Sequence, residues 1–116
     1  MPGDNGAVRF GLRESTIVRL QEVFARYPEI EQGILYGSRA KGTFRPGSDI
    51  DLTLKGDSIT LALCLKVSID LDDLLLPYKV DLSIWQMIDN PHLREHIDRV
   101  GIKFYSRSEP HSPSAV

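Results

Sequence analysis

One cysteine, Cys64, is all the chain has. It rules out an internal disulfide, and with it the stapled secreted scaffolds, and fits a reducing compartment. Long apolar runs are missing as well: nothing approaches the ~20 residues that cross a bilayer. The opening MPGDNGAVRF has neither the cationic nor the apolar segment of a secretory leader. A cytoplasmic protein without membrane association is expected. Neither charge sign dominates: 14 Lys and Arg against 16 Asp and Glu leave a net charge of -2. A general nucleic-acid binder is therefore not indicated, and no direct nucleic-acid contact is expected. Length is also scarce: 116 residues hold one core and no second.

What is present divides into a few punctuated segments. Residues 1–12 are rich in glycine and predict a flexible arm, 13–106 a single domain, and 107–116 a polar, proline-bearing disordered tail. Glu14 to Tyr27 has helical spacing, with Ile17, Leu20, Val23 and Phe24 on one face, Ser15 as N-cap and Pro28 at the end. Ile30 to Tyr36 reads as a strand, Ser38 to Lys41 as one helical turn, and Pro46-Gly47 as a turn. Ile50, Leu52 and Leu54 alternate with Asp49, Asp51 and Thr53, the period of a strand with one apolar face. Thr60 to Leu74 predicts a helix with Leu61, Leu65, Ile69 or Leu71, and Leu75 facing inward. Lys79 to Trp85 is a further strand, Asn90-Pro91 opens a helix that Gly101 stops, and Ile102 to Tyr105 is a last short strand. The order predicts a small α/β (α+β) domain, a mixed sheet of about four strands flanked by helices.

Asp49 and Asp51 share a strand face, and Asp81 lies between Val80 and Leu82 on another strand. If those strands are neighbours, three carboxylates meet, and each resists ionising. A hard divalent cation relieves this, and Mg²⁺ suits oxygen ligands completed by substrate phosphates. Two such ions about 3.5–4 Å apart would clamp both oxygens of a phosphoryl displacement. An arbitrary Asp-x-Asp more often terminates a turn or faces solvent. Here Gly37-Ser38 sits just upstream, where glycine admits a ligand close to the backbone and the next turn offers N–H groups to an anion. Arg39, Lys41 and Arg45 add positive charge between that turn and the acids.

Gly37-Ser38, ten residues, then Asp49-Ile50-Asp51 resembles the signature of the DNA polymerase beta-like nucleotidyltransferases. The Gly-Ser-Arg-Ala-Lys-Gly run resembles the minimal nucleotidyltransferase (MNT) group in particular, over roughly residues 30–106. Asp81 in Val-Asp-Leu matches the third carboxylate of the superfamily, and PHLREHIDRVGIKFY is similar to its closing helix and strand. The resemblance implies that Asp49, Asp51 and Asp81 are catalytic and hold Mg²⁺, two ions in all, and that Asp81 helps activate the acceptor hydroxyl. It implies that Gly37 and Ser38 hold the triphosphate of ATP while Arg39 and Lys41 steady it. The reaction would move AMP to an acceptor as pyrophosphate leaves. Larger relatives carry an acceptor-binding domain for which this chain has no room, so a partner or a second copy would supply it. Minimal members resemble antitoxins that AMPylate a tyrosine of a HEPN-domain toxin. Steric blocking without catalysis, and transfer to a small molecule such as an aminoglycoside, are the competing readings. Homo- and hetero-oligomer both stay open.

Other features read more plainly. His92 and His96 lie four apart on a helix without a third metal ligand, and are expected on the surface or facing a partner. Trp85, Tyr78 and Tyr36 are expected to pack rather than stack on a base. Asp70, Asp72 and Asp73 read as a solvated face, and Cys64 as a small buried residue.

Overall fold

The computed structural model describes residues 8–108. Four strands form one sheet: β3 (Gln32–Tyr36), β4 (Ile50–Lys55), β5 (Val80–Ile84) and β6 (Ile102–Ser106), in the order β5-β4-β3-β6. β3 runs antiparallel to both β4 and β6, whereas β4 and β5 are parallel. The expected mixed sheet of four strands flanked by helices is the observed one.

Two short strands precede it. β1 (Val8–Arg9) and β2 (Leu12–Arg13) pair as a hairpin whose turn residues Phe10 and Gly11 both have positive φ, 59° and 74°. This geometry matches the twist of the flanking strands. The expected flexible arm is thus corrected over residues 8–12. Leu12 is fully buried and the Phe10 ring packs on Phe104, so apolar burial fixes the segment. Residues 1–7 of that arm, and 109–116 of the expected tail, lie outside the described residues.

Helix α1 (Glu14–Ala25) buries Ile17, Leu20, Val23 and Phe24, the four residues its spacing selects. Its cap is Arg13 rather than Ser15, with no side-chain cap bond. The acid of the first turn, Glu14, pairs instead with Arg9 of the hairpin at 2.8 Å, and a negative charge at this end suits the helix dipole. After the short helix α2 (Ser38–Lys41), α3 (Leu61–Asp72) connects the parallel pair, capped by the Thr60 hydroxyl. α3 turns a different face inward from the one expected. Val67 and Leu71 are buried, with Leu63, Cys64 and Leu74 packed beside them. Leu61, Leu65, Ile69 and Leu75 are 65%, 65%, 59% and 87% exposed. Leucine and isoleucine occur all round this helix, so periodicity alone could not choose its inner row.

Helix α4 (Pro91–Val100) starts at an Asn90 side chain that accepts from the His92 and Leu93 N–H groups. The sheet divides the layers. Gly33 and Leu35 face α1, where Phe24 meets Tyr105, and α1 and α3 share that core with Leu52 and Leu54. Ile34 and Tyr36 face the other way, toward α4. That second face also carries Asp51 and Thr53, by alternation along β4.

Candidate active site

In a sheet, residues in register point to one side. Tyr36 pairs with Asp51 across the antiparallel ladder, and Asp51 pairs with Asp81 across the parallel one. Tyr36, Asp51 and Asp81 therefore form a row across three strands, on the α4 side. Asp51 is half-buried, while Asp81 and Asp49 are exposed, Asp49 one residue ahead of β4. Burial pushes the Asp51 carboxyl above its ordinary value, and the charges of Asp81 and Asp49 push it the same way. His96 and Arg39 pull it down. Burial also raises the Tyr36 hydroxyl, as do Asp51 and Asp81. The Ser83 hydroxyl beside it acts in the opposite sense, without making a hydrogen bond of ordinary geometry.

Gly37 closes the site from the end of β3. Its φ of 74° and ψ of -156° belong to a region only glycine adopts readily. A Cβ there would collide with the Asp51 carboxylate. Ser38 follows, half-buried, at the first position of α2. Glycine is needed twice over, for the backbone angle and for the close approach.

The cations separate. Lys41 is exposed, but Arg39 is 3% exposed and fully engaged. Its Nε and NH2 groups donate to the Ser48 carbonyl and its NH1 group to the Phe10 carbonyl. Its guanidinium lies 5.4 Å from the Phe44 ring and 5.0 Å from the Tyr78 ring. Arg39, expected to steady phosphates, here ties the hairpin, the loop before Asp49 and the lead into β5 together.

His96 is the residue the sequence reading set aside. Its Nε2 atom accepts from the Gly37 N–H at 3.3 Å, and its ring meets Tyr36 edge-on at 6.2 Å. His92, one turn earlier, is exposed. Spacing groups the two histidines, and only the docking of α4 separates them. Trp85 packs as expected, between Lys55 and Arg94.

Among the described residues, no group of three or more acidic, histidine or cysteine side chains is placed to hold a metal ion, so Asp49, Asp51 and Asp81 are not gathered into the expected three-carboxylate set. Two carboxylates in register, one of them destabilised by burial and by its neighbours' charge, are still a fitting partial set for Mg²⁺. That ion commonly takes one or two carboxylates and completes its shell with substrate oxygens and water.

The model of the family described as polymerase beta nucleotidyltransferase matches residues 19–110. The chain belongs to the polymerase beta nucleotidyltransferase family. By family it is a nucleotidyltransferase. No curated protein matches its sequence. Among solved structures, a toxin–antitoxin crystal structure with AMP-PNP is similar at 23% identity and a TM-score of 0.62, over 82% of this chain and 74% of that one. A complex of tri-AMPylated Shewanella oneidensis HEPN toxin with MNT antitoxin is similar at 19% identity and 0.55, over 80% and 69%. A Sulfolobus solfataricus protein named as a nucleotidyltransferase is similar at 17% and 0.52, over 86% of both chains. At these identities the likeness is one of fold. For this nucleotidyltransferase, the fold sets the Gly37 backbone against the Asp51 carboxylate of β4, which is in register with Asp81 of β5. Among the described residues no helix is long and apolar enough to cross a membrane.

Proposed function

We propose that this chain transfers AMP from ATP to a tyrosine hydroxyl of a HEPN-type toxin, and thereby acts as its antitoxin. The observation that carries the reading is the register of Asp51 with Asp81 beside the Gly37 backbone. The neighbouring folds, which include an AMPylated HEPN toxin bound to an MNT antitoxin, favour this acceptor.

The chemistry follows from the groups present. The acceptor oxygen attacks the α-phosphorus of ATP, the bond from that phosphorus to the β-bridging oxygen breaks, and pyrophosphate leaves. Asp81, exposed at the outer strand, takes the hydroxyl proton. Gly37 and Ser38 receive the triphosphate, and Lys41, exposed at the end of α2, adds positive charge. Asp49, Asp51 and Asp81 would hold Mg²⁺, two ions in all, and the metal would supply charge neutralisation on the phosphates. Most of the rate gain then comes from positioning and electrostatics.

The test combines the chain, Mg²⁺, α-labelled ATP and a HEPN partner. Label is expected on a partner tyrosine, and to fall at least about 100-fold in Asp51→Asn, the scale for losing one electrostatic stabiliser. Neutralisation that persists in Asp51→Asn without label would replace this reading with steric blocking. Label on an aminoglycoside, and never on protein, would replace the acceptor.

A further inference from the structure

Resting on the nucleotide-site reading above, we infer that His96 is a positioning residue of the nucleotide loop. Through Nε2 it holds the Gly37 amide in the orientation the triphosphate requires. Three observations point there. First, the sheet pairing of β3 ends at Tyr36, so the next amide must find its partner elsewhere. It donates to His96 Nε2 at 3.3 Å. Second, Gly37 is gripped from both sides, its Cα by the Asp51 carboxylate and its N–H by the imidazole. A backbone in a glycine-only region persists where its surroundings over-determine it.

Third, the imidazole itself is not free to wander. Asn90 caps the start of α4, and Arg94 donates to the Trp85 and Ile88 carbonyls. Ile97, the next residue, is buried. The ring edge rests on Tyr36. Nε2 is the acceptor in this contact, which leaves Nδ1 as the ring's donor nitrogen. The loop is thus shaped before nucleotide arrives, and His96 acts on it through the Gly37 amide. Losing it lets Gly37 relax, which weakens nucleotide capture.

The test uses two substitutions and two readouts. His96→Leu removes the acceptor. His96→Gln places an amide oxygen near the position of Nε2 and so restores it. Titration calorimetry with ATP and Mg²⁺ is expected to give a Kd raised about 5- to 10-fold in His96→Leu, the scale of one hydrogen bond, and within about 2-fold of the parent in His96→Gln. Long-range ¹H–¹⁵N spectra of the parent are expected to show an unprotonated Nε2. An unchanged Kd in His96→Leu, a Gln variant no better than Leu, or a proton on Nε2 each overturns the inference. If the parent binds no ATP, the nucleotide-site reading fails, and the ¹⁵N spectrum still decides the His96–Gly37 contact.

Discussion

At single residues the site works by crowding. Gly37 has room for no side chain, so Gly37→Ala must move either the backbone or Asp51. It should destabilise the fold by about 1–3 kcal/mol and abolish nucleotide binding, as thermal melts and calorimetry would report. Asp51 carries the opposite lesson: its native surroundings disfavour its charge. Below the ordinary carboxyl value of 3.8 it is protonated in folded and unfolded chains alike, and costs nothing. As pH rises past 3.8 the unfolded chain ionises first, so the native state loses stability until its own higher value is passed. Asp51→Asn should therefore melt higher than the parent at pH 7, while losing activity, and the gap should close on acidification to below 3.8. A gap that stays constant with pH would mean that Asp51 is not strained. Stability given up at a half-buried carboxylate is what an active site would show.

Among the elements, α3 shows what a one-dimensional pattern conveys. Leu61, Leu65 and Ile69 recur at the helical interval and Val67 and Leu71 do too, and only the sheet decides which row is covered. Leu71→Ala should cost about 2–5 kcal/mol, whereas Leu65→Ala should stay within about 0.5 kcal/mol. Urea denaturation of the two variants checks this, and equal costs would contradict the observed facing. α1 was legible because polar residues mark its outer side, as Arg19 and Glu22 do, and β4 because Asp51 and Thr53 alternate with its apolar row, although Thr53 is itself buried. The candidate acids were legible in the same measure: Asp51 and Asp81 stand out as acids in apolar strands, with Asp49 just ahead of one of them. His96 did not, because its partner is a backbone N–H 59 residues away. The structural part of Arg39 was not legible either: a cation in a glycine-rich loop suggests phosphate, whereas its partners, the Phe10 and Ser48 carbonyls, carry no sequence signal. Its bonds span the hairpin, the acid loop and the ring of Tyr78, so Arg39→Lys should lower stability by about 1.5–3 kcal/mol despite keeping the charge.

For the molecule as a whole, ligand and fold should be linked. Anything that binds only the native state stabilises it, by about 2.7 kcal/mol at a hundredfold excess over Kd. For a domain of this size that raises Tm by roughly 10 °C. ATP with Mg²⁺ should produce such a shift, EDTA should remove it, and Asp51→Asn should not show it. The most direct measurement is the transfer itself, with α-labelled ATP, Mg²⁺ and a HEPN partner, comparing the parent with Asp51→Asn and Asp81→Asn. Label on the partner from the parent alone is the expected result. Equal labelling by all three proteins would contradict the assignment of chemistry to the paired carboxylates of β4 and β5.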